Sequence, residues 1–374
     1  MSESWDVVVV GAGIVGAACA LECASRGMRT AVIEGRGIGS GATAAGMGHI
    51  VVMDDSPAQL ALTHYSQTLW QELSKSLPAD VEYERCGTLW VACDEGEMQE
   101  VRHKSAVYAA AGVATEILDG QMLAEAEPHL RKPLAGALLV PSDAVLYPPC
   151  AAGYLMREAL RLGAQLFTRK VHSAKAGVVR LDDGTELRAT RIVIASGADA
   201  CDLIPELPIR KRKGHLVITD RYPGFVRHQL VELGYLKSAH SVTSDSVAFN
   251  VQPRKTGQIL IGSSRQFGAE TPEVNDRILA SMVERAQWYI PEIGGLSAIR
   301  IWTGFRAATP DKLPLIGPWP EDESLFLAAG HEGLGITTSL GTARLLVDHM
   351  MGTKTRIPIE PYMPVRFARS VADA

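Results

Sequence analysis

The sequence predicts an α/β fold with a mostly parallel sheet and a second domain beside it. Three observations predict it. Residues 6–33 read as strand, glycine turn, helix, strand. Residues 325–350 repeat the order strand, glycine turn, helix. A chain of 374 residues also suggests two domains sharing an interface rather than one core.

Asp6–Val10 is a β-branched run suited to a strand buried on both faces. Gly11-Ala-Gly13-Ile14-Val15-Gly16 follows, then an Ala-rich stretch of helical character that Gly27 closes. Met28–Ile33 reads as the second strand. In this setting G-x-G-x-x-G has a physical meaning. Gly11 permits the tight turn, Gly13 lets backbone approach a pyrophosphate, and Gly16 lets helix pack on strand. The helix N-terminus then presents unpaired N–H groups and a positive dipole end to phosphate. Glu34, with Gly35 and Arg36 after it, stands 18 positions beyond Gly16. A carboxylate there accepts from a ribose 2′-OH and repels a 2′-phosphate, so the motif predicts a dinucleotide other than NADP. The bland alternative is a βα turn that holds nothing.

Later segments read as parts of the same cradle. Gly39-Ser40-Gly41-Ala42-Thr43-Ala44-Ala45-Gly46-Met47-Gly48 is a run of small residues open to close approach. Ser40 and Thr43 can cap a helix or donate to phosphate. Ala151–Arg161 reads as helix, Gln165–Val171 as a short strand, and Leu181-Asp-Asp-Gly184-Thr as a hairpin turn. Leu187–Ser196 is a strand ending in Ala195-Ser196-Gly197-Ala198, small enough for backbone to pass beside a ligand. Leu325–Met350 brings a second glycine turn, Gly330-His331-Glu332-Gly333-Leu334-Gly335-Ile336. Nicotinamide enzymes do not need it. A flavin enzyme does, because a helix N-terminus near the ring's N1–O2 edge stabilises the anionic reduced flavin.

The bulk numbers exclude other classes. Hydrophobic residues make up 47% and charged residues 21%, as in a soluble globular protein, and the net charge of −5 speaks against nucleic acid. The uncharged run near the N-terminus has no basic flank and is too short to span a bilayer, so neither export signal nor membrane anchor is expected. None of the six cysteines (Cys19, Cys23, Cys86, Cys93, Cys150, Cys201) forms a C-x-x-C pair, so no zinc or iron–sulfur site is expected. A reduced, cytoplasmic protein is the simplest reading. The prolines at Tyr147-Pro-Pro149, Ile204–Pro208 and Leu313-Pro314 mark places where the chain crosses between domains.

Four blocks then carry a specific resemblance: "VVVVGAGIVGAACA", "GSGATAAGMGHI", "RIVIASGA" and "GFRAATPDKLPLIG" with "AAGHEGLGITTSLGTA". Together they resemble the D-amino acid oxidase, glycine oxidase and sarcosine oxidase group of FAD amine oxidoreductases, in that group's order and over nearly the whole chain. The resemblance implies an FAD-binding Rossmann-like domain of glycine oxidase type, with an inserted antiparallel-sheet substrate domain. The implied division is 1–85, 144–212 and 302–374 for FAD, and 86–143 and 213–301 for substrate. Two further stretches, "GATAAGMGHIVVMDDSPAQLALTHYSQTLW" and "CGTLWVA", are similar to the β-subunit type of D-hydroxyproline dehydrogenase. That type implies partner subunits carrying a second flavin or an iron–sulfur cluster; a homo-oligomer or a free-standing oxidase stays open.

The resemblance also assigns roles. Arg306 matches the arginine that grips the substrate carboxylate, a task for which guanidinium suits better than ammonium; the alternative is an ion pair with Asp311. His49 either hydrogen-bonds ring or substrate or fills space. Phe249 and Asn250 match a pocket segment that carries an aromatic hydroxyl in glycine oxidase, which makes glycine a doubtful substrate here. Val171 and Ala195–Gly197 fall in nucleotide-binding segments. His331 and Glu332 offer backbone N–H groups to the flavin. No cysteine follows Cys201, so the cysteine link of sarcosine oxidases cannot form and FAD is expected to be non-covalent, with a histidine link still open. Arg210-Lys-Arg-Lys213 is a solvated crossover or a docking surface.

The chemistry so implied is oxidation of a small amino or imino acid to its imine, with D-hydroxyproline the first choice and glycine, sarcosine or another D-amino acid the alternatives. No protein base is needed if the amine binds neutral. The rivals are a 2-hydroxy acid dehydrogenase, for which His49 is the only base in place, a nicotinamide dehydrogenase, and a structural subunit with an idle flavin.

Overall fold

The computed structural model describes residues 4–234 and 245–367. Two eight-stranded sheets organise the described residues. In the first, the strands Asp322–Ala329, Glu186–Ile194, Ser4–Val10, Thr30–Ile33 and Gln165–Phe167 lie side by side and parallel. Leu315–Trp319 closes one edge antiparallel, and Val171–Lys175 and Val178–Leu181 form a flap on Glu186–Ile194. Ser4–Val10 sits centrally because its valines are buried on both faces: Val7 and Val9 join one core, and Val8 and Val10 the other.

The helices Ile14–Ser25 and Gly335–Met350 pack on the first of these faces. Cys19 and Cys23 are buried packing residues there. Gly27, at φ 78°, ends its helix in the left-handed region, with Gly27 and Met28 donating back to Ala24 and Cys23 carbonyls.

The second sheet runs Ala298–Ala308, Arg210–Arg221, Gln258–Arg265, Ser246–Pro253, Gln229–Glu232, Thr88–Ala92, Gly136–Val140, Glu116–Asp119. Its pairs are antiparallel except Gln229–Glu232 with Thr88–Ala92. Its far face is covered by the helix Asp276–Tyr289. The chain enters it finally at Arg210, after Ile204–Pro208, and leaves after Ala308, ahead of Leu313-Pro314. Those prolines do mark crossings.

Tyr147-Pro-Pro149 also lies where the chain passes from Gly136–Val140 of the second sheet to the first sheet's core, and its prolines start the helix Pro148–Arg161, where a missing N–H is harmless. Local readings need two corrections. Gln165–Val171 is two strands, because the chain breaks pairing at residues 168–170 and starts afresh at Val171. Arg210–Lys213 is the start of a strand rather than a solvated crossover. Its first two residues are exposed and the next two buried: Lys211 pairs with Asp199 at 3.3 Å, Arg212 is buried against Glu332, and the Lys213 ammonium donates to the carbonyls of Thr271 and Glu273 at 3.3 and 2.9 Å. The strands Arg210–Arg221 and Ala298–Ala308 belong wholly to the second sheet, so they run through the expected boundaries after 212 and 301.

Candidate active site

A cavity of about 740 Å³ joins the C-terminal ends of the first sheet's strands to one face of the second sheet. That is the size of a site for a large ligand and its substrate together. The N-terminal turn supplies Gly11, Gly13, Ile14 and Val15 to its wall, and the segment following the strand Thr30–Ile33 supplies Glu34, Gly35 and Arg36. Gly11 has φ 102°, and a Cβ on it would lie 2.7 Å from the Ala195 carbonyl oxygen. Gly16 does not reach the cavity. A Cβ there would lie 2.0 Å from the Gly11 carbonyl oxygen, so it serves packing behind the turn.

Ser40, Thr43, Gly46 and Met47 line the next stretch. Thr43 resolves its own ambiguity: its Oγ1 accepts from the Ile14 N–H at 3.0 Å and so caps the first helix from a distant loop. Ala44 and Gly48 are not in the lining. Ala44 is exposed on the outer side of the turn, and Gly48 packs on Leu146. Val171, Ala195, Ser196 and Gly197 do line the cavity, together with Arg169 and Lys170, which sequence reading missed. Glu34 is tied into the cradle: its carboxylate accepts from the N–H groups of Ala12 at 2.8 Å, Arg36 at 2.7 Å and Gly37 at 3.2 Å.

Gly330, His331, Glu332, Gly333, Leu334, Gly335 and Ile336 close the opposite side. Two helix N-termini, at Ile14 and Gly335, therefore face one cavity. The expectation for His331 and Glu332 changes in detail. The Glu332 and Leu334 N–H groups donate to the Ala307 and His331 carbonyls, so they are not open donors. The Glu332 carboxylate pairs with Arg212, and the His331 Nε2 meets Thr342 Oγ1 at 3.0 Å. Burial lowers the His331 pKa to about 3, so its ring is neutral.

The remaining wall comes from the second sheet. Arg306 lies on Ala298–Ala308, with Nη1 donating to the Ser264 carbonyl at 2.9 Å. Its guanidinium fills the space over Gly214, where a Cβ would approach to 2.5 Å. Asp311, the acid weighed as its partner, is held by Arg366 at 2.7 Å instead. Trp90, Gln229, Val231 and Asn250 line the same face. Phe249 does not: alternation turns it into the core behind the sheet, where it stacks on Tyr289 at 4.1 Å. His49 pairs through its backbone with Val145, and its Nε2 lies 3.5 Å from Asn250 Nδ2. Burial chiefly lowers its pKa to about 4; a contact with Gln229 opposes this, and the nearby Arg306 charge adds to the lowering.

The cradle fits FAD by its own features. Glycines sit where a Cβ would strike backbone, two positive helix ends face the cavity, and Ser196 keeps a buried hydroxyl with no protein partner. Fold and site together define a dinucleotide-binding α/β enzyme whose second sheet closes the far side of the cavity.

The comparisons carry this to a family. The profile of the FAD dependent oxidoreductase family, DAO, matches residues 6–349, and the chain belongs to that family. Among curated proteins it is 28% identical to glycine oxidase of Geobacillus kaustophilus, over 98% of each chain. It is 27% identical to hydrogen cyanide synthase subunit HcnC of Pseudomonas aeruginosa, over 98% of this chain and 97% of the other. Among solved structures, L-proline dehydrogenase from P. horikoshii superposes with a TM-score of 0.88 at 26% identity, covering 99% of each chain. The glycine oxidase type of fold expected from the sequence is the one found.

Proposed function

We propose that this FAD enzyme oxidises a small amino or imino acid to the imine, with cis-4-hydroxy-D-proline as its substrate. The observation that carries the reading is Arg306, a permanent cation in the cavity wall opposite the dinucleotide cradle. A carboxylate leaving water needs such a partner. Relatives named for glycine oxidation and a neighbour named for proline dehydrogenation support the class of substrate.

When bound, FAD supplies the acceptor for the hydride that leaves the substrate's α-carbon. The chain's residues do the rest. Gly11–Val15 and the turn at Gly330–Ile336 hold the cofactor. Arg306 orients the carboxylate, and His49 and Asn250 position the substrate's other end. His49 is kept neutral, so it neither repels an incoming cation nor is needed as a base. The lone pair of a neutral amine drives hydride departure, and the proton is lost from nitrogen beforehand. FAD binds non-covalently in this reading: Cys201 turns its thiol to the carbonyls of Leu207 and Ile209 and does not line the cavity. The division into a discontinuous FAD domain and an inserted substrate domain belongs to the same proposal, as do electron transfer to a partner flavin or iron–sulfur subunit and a cytoplasmic location. No helix among the described residues is long and apolar enough to cross a membrane.

The test is anaerobic bleaching of the purified flavoprotein by both hydroxy-D-proline epimers, D- and L-proline, sarcosine, glycine, D-alanine and 2-hydroxy acids. Bleaching by cyclic D-imino acids supports the proposal. Bleaching by hydroxy acids alone overturns it.

A further inference from the structure

The substrate chamber is floored by a row of residues in register across three strands. Val231 pairs with Trp90 on one side and with Asn250 on the other. Residues in one register row share a face, and Gln229, two positions before Val231, shares it too. All four line the cavity, with His49 above Asn250. Trp90, Gln229 and Asn250 are 2%, 3% and 7% exposed. A floor of this kind needs only apolar side chains to hold an unsubstituted ring.

Here it carries polar atoms without partners. Among the described residues, Trp90 Nε1 and Asn250 Oδ1 are buried without a hydrogen-bond partner, and Gln229 Oε1 and His49 Nδ1 interact with each other without forming a well-aligned hydrogen bond. A buried polar atom left so costs about 1–3 kcal/mol, so such a cluster is kept only where a ligand or water completes it. The chemistry of the missing partner follows from the atoms. The indole offers only a donor. Each amide leaves one polar atom over, acceptor or donor according to how it is turned, and the neutral imidazole leaves one nitrogen. A hydroxyl donates and accepts at one atom and meets every such arrangement. A second carboxylate only accepts, and a methyl group does neither.

We propose that Trp90, Gln229, Asn250 and His49 form a specificity site for a hydroxyl on the substrate's carbon skeleton, at the end remote from the carboxylate held by Arg306. The assignment rests on the reading of Arg306 given above and deepens it. The enzyme then discriminates by this floor: an analogue lacking the hydroxyl leaves these groups buried without full hydrogen bonding, and its binding suffers.

The test uses the FAD-loaded enzyme and two readouts. The first is calorimetric binding of two non-oxidisable carboxylates, tetrahydrofuran-2-carboxylate and its 4-hydroxy derivative. The second is anaerobic flavin reduction by D-proline and cis-4-hydroxy-D-proline. Wild type is expected to prefer the hydroxylated member of each pair by about tenfold or more. Asn250→Leu and Gln229→Leu should bring each ratio toward one, chiefly by weakening the hydroxylated ligand, whereas Asn250→Gln, which restores an amide, should recover part of the preference. Unchanged flavin content shows that the variants fold. Equal handling of both members by wild type overturns the site, as does a preference that survives both leucine variants. Hydroxyl-dependent binding without flavin reduction by any amino acid upholds the site and overturns the oxidation chemistry instead.

Discussion

At the scale of single residues, charge decides the strongest expectations. Arg306 can hold a carboxylate bidentately, and a lysine cannot. Arg306→Lys should raise KM roughly ten- to a hundredfold with kcat and flavin content little changed, and Arg306→Ala should do more. Steady-state kinetics check this, and an unchanged KM would place the carboxylate elsewhere. Titration gives a second expectation. Burial lowers His49 to about 4 and His331 to about 3, against about 6.5 in the unfolded chain. Their stabilisation is complete above pH 6.5 and is lost as pH falls toward those values. Asp143 works the other way: burial raises it to about 7, so its contribution is lost as pH rises from about 4 to 7. The two slopes oppose each other. Asp143→Asn should therefore make the loss of stability on acidification from pH 7 to pH 4 steeper than in wild type. Denaturant unfolding at a series of pH values measures the slope, and parallel profiles for the two proteins would refute the assignment.

At the scale of elements, the C-terminal glycine turn is tied to the second sheet by a backbone bridge from Glu332 to Ala307 and by a buried ion cluster in which the Glu332 carboxylate meets Arg212 and, at 3.9 Å, Arg265. Arg212, on Arg210–Arg221, meets the Glu332 carboxylate, and both are largely buried. Removing one charge leaves the other uncompensated, so Glu332→Gln should cost roughly 3 kcal/mol in urea unfolding. Arg212→Met with Glu332→Leu should recover most of that loss, and a double variant no better than the single one would show that the pair is not the cause. This tie also marks what the sequence could reveal. The two glycine turns were readable because strand, glycines and helix follow one another locally, even though Gly11 and Gly330 answer to the distant Ala195 and Thr309. Arg306 and Asn250 were found only through motif resemblance. Trp90, Gln229, Lys170 and Arg169 were missed because nothing local distinguishes them; Trp90 and Gln229 reach the site through strand pairing between distant segments, and Arg169 and Lys170 from the loop between two strands. Lys213 and Arg212 were read as part of a solvated crossover or a docking surface for the same reason, since burial of a charge depends on a partner that arrives more than a hundred residues later for Arg212.

At the scale of the whole molecule, the first sheet draws strands from residues 4–33, 165–194 and 315–329, and the cavity touches all three stretches and the second sheet. None of these segments closes the site alone. A ligand that contacts every one of them binds the folded chain and not the unfolded one, so it stabilises by mass action. Adding FAD to apoprotein should raise the unfolding midpoint, and the rise should grow with the logarithm of free FAD. At a hundredfold excess over Kd the gain is about 2.7 kcal/mol. The same geometry separates two kinds of attachment. A flavin held only by the cradle leaves when the segments part, so heat or guanidinium should release all of the yellow colour into the filtrate. Flavin that stays with the denatured chain would reveal a covalent bond, for which a histidine would have to be sought by peptide mapping. A midpoint indifferent to FAD would mean that the three segments assemble without it, and that the cavity is held open by the protein's own packing.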